Sequence, residues 1–174
     1  TSQLEADDDN KRADSADAKA DATASVEPIV LFQVGYEFPQ GTALYFGTDL
    51  EEEPVLALGV RQDLMDYGEM DMSVYYDVLN RDAWKDPYLI GIDRQETDRK
   101  EIGGKLKYSD IFDTGLEFDY QFAKVDIKDD KIGQRFKSLR RNGDIHSFSL
   151  GYEYHFMQSH AIVPEFGYTW ANME

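Results

Sequence analysis

Apolar and polar residues alternate along most of the chain from residue 28 onward. Large apolar side chains occupy even-numbered positions and polar ones occupy odd-numbered positions, and this period of two predicts strands with one apolar and one polar face. The clearest alternation covers residues 70–78, 116–122, 148–156 and 162–170. Weaker alternation predicts strands at about 29–38, 43–48, 55–63 and 101–108. The pattern therefore predicts an all-β chain of eight strands with no helix between them.

The connections between these strands alternate between short and long. Residues 39–42, 64–69, 109–114 and 157–160 predict short turns, whereas residues 49–54, 80–100 and 128–143 predict longer loops. Short turns at one end and long loops at the other are typical of an up-and-down antiparallel outer-membrane barrel, with the short turns on the periplasmic side. Pro164 falls inside the last strand, where it predicts a bulge or a break in pairing.

The alternation alone fits two kinds of barrel, a membrane barrel with its apolar face outward and a soluble barrel with its apolar face inward. The even-numbered face carries many aromatic rings, for which a small closed barrel has little room. The rings also lie near strand ends, as at Tyr168 and Trp170, where interfacial aromatic girdles belong. Charged residues on this face, such as Lys124 and Asp144, fall at strand ends. These observations favour a transmembrane β-barrel.

The first 27 residues have a different composition, rich in Asp, Ala and Ser. Leu4 is the one large aliphatic residue before Val26. Such a segment buries too little apolar surface to become ordered. The sequence therefore predicts a disordered acidic extracellular loop or linker at residues 1–27 and a β-barrel fragment at residues 28–174. Counted from the short turn at Pro39, the first strand starts outside the cell and the last one ends there. Because single-chain barrels normally begin and end in the periplasm, we expect the parent barrel to have at least ten strands.

The composition excludes several classes of function. The chain has 35 acidic and 18 basic residues, a net charge of −17, which argues against nucleic acid because phosphate binding needs a basic surface. Cysteine is absent, so a disulfide framework, a thiolate metal site and a cysteine nucleophile are excluded. The three histidines have no nucleophile at a recognisable spacing. Asp126, Asp129 and Asp130 do not follow the spacing of a calcium loop. We therefore predict no enzyme, no cofactor and no metal site.

The polar face of the strands supplies one candidate site. In a barrel of ten or more strands these side chains line a lumen, and their acidic excess would favour cations in an open, water-filled pore. The alternative is a plugged interior in which the charges pair across strands. The predicted lumen-lining residues are Arg61, Asp71, Asp77, Lys105, Lys107, Glu117, Asp119, Glu153 and Glu165.

A second candidate site lies in the long loop of residues 80–100. Trp84, Asp86 and Tyr88 combine aromatic rings with a carboxylate, and exposed residues of these types are suited to stacking on a sugar and bonding its hydroxyl groups. The alternative is a loop that packs over the barrel mouth, in which these residues have a structural role.

Several segments resemble a family of uncharacterised outer-membrane proteins of Gram-negative bacteria known as a domain of unknown function. The resemblance rests on Trp-Lys-Asp-Pro-Tyr at residues 84–88, Lys-Val-Asp-Ile-Lys-Asp-Asp-Lys at 124–131, Arg-Asn-Gly-Asp at 141–144 and Leu-Gly-Tyr-Glu-Tyr at 150–154. It covers about residues 28–174. The resemblance implies an outer-membrane location and a longer chain with more strands. It implies no activity, ligand or catalytic residue.

The sequence as a whole predicts an outer-membrane β-barrel protein with a porin-like role in the passive transport of small solutes. Its expected surroundings are outer-membrane lipid and lipopolysaccharide. One alternative is a closed structural or surface-interaction barrel that binds a partner or a polysaccharide through its external loops. The other is a soluble ligand-binding β-barrel. The sequence predicts no particular oligomeric state.

Overall fold

The structure, a computed structural model, describes Ala6 and residues 10–15, 31–49, 55–77, 82–156 and 160–173. This part of the chain is built from strands, with short helical turns at α1 (Lys131–Arg135) and at two 3-10 turns, Met65–Tyr67 and Lys137–Leu139. None of these described helices is long and apolar enough to cross a membrane. The strands are β1 Gln33–Glu37, β2 Thr42–Asp49, β3 Val55–Asp63, β4 Glu69–Asp77, β5 Asp82–Trp84, β6 Glu96–Ile111, β7 Leu116–Ile127, β8 Gly143–Tyr152, β9 Tyr154–Phe156, β10 His160–Ile162 and β11 Glu165–Met173.

Nine of these strands form one antiparallel sheet. Eight of them pair in the order β1-β2-β3-β4-β6-β7-β8-β11, and β5 pairs with the start of β6. A separate hairpin consists of β9 and β10. Within the described residues β1 and β11 each pair with a single neighbour, so the sheet is open at both edges. The prediction of an all-β, up-and-down antiparallel chain is confirmed, whereas closure into a transmembrane barrel stays a prediction.

The eight predicted strands correspond to the eight strands of the path, but several of their bounds differ, and β5, β9 and β10 are additional strands. β3 has the predicted bounds, but β6 begins five residues earlier than predicted, at Glu96 rather than Glu101. The added residues are mostly polar and charged and lack apolar alternation, yet they pair with β5 and β7. The prediction of no helix between strands is wrong at α1. The predicted break at Pro164 is confirmed, because β10 ends at Ile162 and β11 begins at Glu165.

The register gives the sheet two chemically different faces. In all seven ladders of the eight-strand path, even-numbered residues pair with even-numbered residues, as in Leu58 with Val74 and Tyr120 with Phe148. The one departure is a bulge at the end of β6, where Ile111 pairs with Leu116. Directly paired residues point to the same side of a sheet. Even-numbered residues of all eight strands therefore lie on one side of the sheet, and odd-numbered residues lie on the other. We call the two sides the even face and the odd face.

Large apolar side chains on the even face remain exposed. Leu58, Val74, Ile102 and Phe166, from four different strands, each leave more than half of their surface uncovered. Rings on neighbouring strands contact one another on this face; His146 stacks on Trp170 with 4.9 Å between ring centroids. This arrangement is the reverse of a soluble barrel, in which the apolar face is the buried one.

The buried core lies on the odd face, towards the end of the sheet from which the long loops extend. Two clusters of buried side chains share partly buried Ile145 as a neighbour. One consists of Val55, Ala57, Tyr75 and Ala123, and the other of Ala83, Val125 and Ile127. Ala83 belongs to β5 and so joins the long loop to the sheet.

The long loops and a piece of the N-terminal segment pack together at this end. We call residues 82–95 and 128–142, with residues 10–15, the loop cap. The amide of Lys131 donates to the carbonyl of Lys85 at 3.0 Å, and the amide of Arg94 donates to the carbonyl of Lys11 at 2.8 Å. Residues 1–27 were predicted to be disordered; residues 10–15 instead bond to the loop, and the others except Ala6 lie outside the described residues.

Candidate functional site

The odd face carries two polar grooves. The first has a volume of about 830 Å³ and is lined by residues of β1 to β4, β6 and β7, and by Leu31 and Phe32. Its charged side chains are three basic and three acidic, Arg61, Lys105, Lys107, Glu69, Asp71 and Glu117. The second has a volume of about 520 Å³, and its charged side chains are all acidic: Glu101, Asp119 and Glu165. The odd face is therefore balanced in charge beside β3 and β4 and acidic beside β8 and β11.

An ion-pair network crosses the first groove. Arg61 on β3 lies 3.1 Å from Asp71 and 3.5 Å from Glu69, both on β4. The hydroxyl of Tyr45 on β2 donates to the other carboxylate oxygen of Asp71 at 2.6 Å. These contacts connect three strands. Charges in the first groove therefore pair across the sheet, as the alternative of a plugged interior expects.

A second network lies nearer the loop cap. Arg99 on β6 contacts both Glu101 on the same strand and Asp77 on β4. The hydroxyl of Tyr75 donates to Glu101 at 3.1 Å, and the amide of Gln121 donates to that hydroxyl at 2.9 Å. Asp77 is buried, so its charge needs the opposite charge of Arg99.

Two tyrosines reach across neighbouring strands because each lies over a glycine. Tyr45 is paired directly with Gly59, and a Cβ atom added to Gly59 would lie 2.2 Å from the Cζ atom of Tyr45. Tyr75 is paired with Gly103 in the same way, with a distance of 2.4 Å. The missing side chains leave room for the rings to lie along the sheet, an arrangement in which an aromatic ring covers a cross-strand glycine. Each hydroxyl is thereby brought to a carboxylate.

Gly59→Ala is expected to lower the free energy of unfolding by about 1–3 kcal/mol, because the new methyl group overlaps the Tyr45 ring and separates it from Asp71. Urea unfolding of the refolded protein measures the change. Gly167→Ala is the matched control, since it lies on the same face and its Cβ would meet nothing closer than 3.6 Å. That change should be neutral or stabilising by up to about 1 kcal/mol. Equal effects of the two changes would contradict the described position of Tyr45.

The structure brings most of the predicted lumen-lining residues together. Seven of the nine line the grooves: Arg61, Asp71, Lys105, Lys107 and Glu117 in the first, and Asp119 and Glu165 in the second. Asp77 lies on the same face but is buried in its ion pair with Arg99. Glu153 lies outside both grooves, between β8 and β9, where it pairs with His155 at 3.0 Å.

Four residues of the odd-face networks were missed as candidates, and two of them, Tyr45 and Glu101, line the grooves. Tyr45 and Tyr75 are aromatic, and Arg99 and Glu101 lie in or next to the part of β6 that apolar alternation did not predict. Their odd numbers were the available signal, since the shared parity of the sheet places each of them on the polar face.

The predicted loop residues Trp84, Asp86 and Tyr88 have different surroundings. Trp84 is completely buried, Asp86 is half-buried and accepts a hydrogen bond from the amide of Tyr88 at 3.0 Å, and Tyr88 is exposed. Trp84 is therefore a packing residue of the loop cap, in agreement with the alternative interpretation of this loop. Of the two rings, Tyr88 is the one that faces solvent, and sugar recognition stays a prediction.

The centre of the loop cap is an ion pair between Asp130 and Arg141. Arg141 Nε and Nη2 donate to one Asp130 oxygen at 3.0 and 2.6 Å, and the Arg141 amide donates to the other oxygen at 3.1 Å. Arg141 Nη2 also donates to the carbonyls of Trp84 and Lys85 at 2.7 and 3.3 Å. Three of the sequence segments that carry the family resemblance thus meet at one point. The predicted absence of a metal site stays a prediction, although no group of three His, Asp or Glu residues in the described part could hold a metal ion.

Comparison with known proteins gives one match. The sequence family described as "Protein of unknown function (DUF2860)" matches residues 1–174. No curated protein and no solved structure matches the chain. The family description states no activity and no cellular location, so the predicted resemblance to a domain of unknown function is confirmed and its outer-membrane location stays a prediction.

Proposed function

The chain belongs to the DUF2860 family of proteins of unknown function, and we propose a role for it from the two faces of the sheet. In this proposal the chain is an outer-membrane β-barrel protein with a porin-like role in the passive transport of small solutes. The even face contacts lipid, and the odd face lines an aqueous lumen. The observation that carries the proposal is the exposure of large apolar side chains on the even face of every strand from β1 to β4 and of β6, β8 and β11.

The distribution of charge on the even face supports contact with hydrocarbon. Even-numbered positions carry no formally charged residue over 102–108 in β6, 116–122 in β7, 146–152 in β8 or 166–170 in β11. The charged ones lie towards strand ends: Lys124 is paired directly with Asp144 near the loop cap, and Asp110 lies at the short-turn end of β6. A charged side chain facing lipid is unfavourable at the midplane and tolerated near the interface, and this sheet has that distribution.

The strand lengths also suit a membrane. β3, β4 and β11 have 9 residues each and β8 has 10, and a tilted strand of 9–11 residues is long enough to cross the hydrocarbon layer. The even face therefore presents an apolar band of about the height that a bilayer covers.

The acidic second groove supports a preference for cations. Asp119 and Glu165 line it together with Glu101, whose charge is paired with that of Arg99, and acidic side chains favour cations in water-filled pores. In this proposal the passing solutes are small and carry a positive charge or none.

Conductance measurements test the transport role. The full-length protein, reconstituted in a planar bilayer under a KCl gradient, should give stable steps and a reversal potential that indicates cation preference. Asp119→Asn with Glu165→Gln should move the reversal potential towards zero. Glu153→Gln removes one charge outside both grooves and should leave it unchanged. A folded protein without stable conductance would exclude transport, and a protein that stays monodisperse without detergent would exclude the membrane location.

A closed surface-interaction barrel is the second candidate, and the loop cap favours it. Trp84 is completely buried, and Arg141 joins the two long loops through its bonds to the carbonyls of Trp84 and Lys85, so the cap is well suited to present a fixed outer surface. This candidate predicts no conductance, together with binding of a polysaccharide or partner that Tyr88→Ala weakens. Tyr88 is chosen because it is an exposed ring of the cap.

A further inference from the structure

We propose that the even face binds the headgroup of a phosphorylated glycolipid, the chemistry of lipopolysaccharide, in a pocket next to the loop cap. The pocket has a volume of about 660 Å³. Its even-numbered polar side chains are Lys100, Lys124, Asp126, Asn142 and Asp144. The proposal rests on the proposed membrane location of the even face and does not depend on transport.

The register places this headgroup pocket at the border between charged and aromatic residues of the even face. One row of paired residues crosses four strands and consists of Tyr76, Ile102, Lys124 and Asp144. The row nearer the loop cap contains Lys100 paired with Asp126. The row on the other side contains the rings of Phe122, His146 and Trp170. Charged residues followed by rings mark the level of the lipid headgroups in a membrane barrel.

The four charged side chains of these rows are open to a ligand. Lys124 faces Asp144 and Lys100 faces Asp126 in the register. Within the described part of the chain, however, none of the four forms an ion pair or a side-chain hydrogen bond. Lys100, Lys124 and Asp126 are exposed, and Asp144 is partly buried. On the odd face, by contrast, arginines are bonded to the carboxylates of neighbouring strands.

The two lysines suit a phosphate group. An ammonium group binds phosphate as a compact point charge. A lysine stem can also lie on apolar surface while its charged end reaches the headgroup layer. Ile102 and Tyr76 supply that surface, since they line the same pocket and leave 55 % and 39 % of their own surface uncovered.

The carboxylates suit the sugar part of the headgroup. Asp126 and Asp144 can accept hydrogen bonds, which sugar hydroxyl groups donate. A ligand that carries phosphate alone would be repelled by these two carboxylates as much as it is attracted by the two lysines. A headgroup with phosphate and hydroxyl groups fits both kinds of side chain. Lipopolysaccharide has this chemistry, and in the proposed barrel the loop-cap end lies in the outer leaflet, where it is expected.

Native mass spectrometry of the full chain folded in detergent micelles tests the proposal with lipid A, the phosphorylated sugar anchor of lipopolysaccharide. Lipid A should bind in a saturable way. Lys100→Gln combined with Lys124→Gln should weaken the binding roughly tenfold or more, because charge-assisted bonds to phosphate are lost. Removal of the phosphate groups from lipid A should have the same effect on the unchanged protein, and this measurement holds even if the variant does not fold.

The matched control removes the same charge outside the pocket. Lys128→Gln combined with Lys131→Gln changes two exposed lysines of the loop cap that do not line the pocket, and it should leave the affinity for lipid A unchanged. Equal effects of the two lysine pairs would overturn the proposal.

Phosphatidic acid, which carries a phosphate and no sugar, separates a glycolipid site from a phosphate site. Asp126→Ala combined with Asp144→Ala should weaken the binding of lipid A and strengthen that of phosphatidic acid. If phosphatidic acid binds the unchanged protein as tightly as lipid A does, the assignment to a glycolipid is wrong. A protein that stays monodisperse without detergent would remove the membrane location together with this site. A protein that needs detergent but shows no saturable binding of lipid A would remove this site alone.

Discussion

Asp130→Ala is expected to lower the free energy of unfolding by about 3–5 kcal/mol, the range for removing one partner of a buried ion pair. Asp130 is buried and accepts hydrogen bonds from the Arg141 side chain and amide. Without it, Arg141 keeps its charge in a partly buried position, with 15 % of its side chain exposed, and loses its counter-charge. The effect should be seen in urea unfolding of the refolded protein.

An exposed ion pair of the same region provides the control. Lys128 and Asp98 lie 3.1 Å apart, with 75 % and 54 % of their side chains exposed, and Lys128→Ala should change stability by about 1 kcal/mol or less. Arg141→Met combined with Asp130→Ala should be less harmful than the sum of the two single changes, since neither charge is then left alone. Additive effects would mean that the two side chains do not interact.

Val74→Arg is expected to lower the stability of the protein folded in lipid bilayers by about 2–4 kcal/mol, the range for an arginine facing the middle of the membrane. Val74 lies in the middle of β4 on the even face, and 60 % of its surface is exposed. If water covers this face instead, an exposed valine can be replaced by arginine with a change of about 0.5 kcal/mol or less. Denaturant unfolding in liposomes therefore separates the two surroundings of the even face.

Position along the strand provides the control for this change. Asn172 is also even-numbered and exposed, and it is paired directly with Asp144 at the end of β11 near the loop cap. Asn172→Arg should alter stability by about 0–1 kcal/mol, because a charged residue near the interface reaches water. Equal effects at Val74 and Asn172 would argue against a membrane around the sheet.

The fold was largely predictable because its signal is local. A strand with two different faces shows a period of two in its own residues, so β3, β4 and the first half of β7 could be located from the sequence. The start of β6 could not, because Glu96 and Asp98 are held by pairing with β5 rather than by an apolar face. Closure of the sheet depends on edge strands, and no local pattern determines it.

The site was predictable in its position but not in its contacts. Parity alone placed Arg61 and Asp71 on the polar face. Two contacts could not be predicted, the bond from Arg61 to Asp71 and the bond from Tyr45 to the same carboxylate. They depend on the register of three strands and on the absence of a side chain at Gly59. The surroundings of Trp84 were equally hidden, because its carbonyl accepts a bond from Arg141, 57 residues further along the chain.

The position of the glycines has a consequence for the shape of related proteins. Seven glycines in the paired strands occupy odd-numbered positions, where the polar side chains are: Gly35, Gly47, Gly59, Gly103, Gly143, Gly151 and Gly167. The opposite side carries the large rings, so the two surfaces of the sheet differ in bulk as well as in polarity. Unequal bulk favours bending towards the less crowded surface. Substituting large residues at several of these glycines should reduce this difference in bulk, and homologues should keep small residues there even where the surrounding charges have diverged.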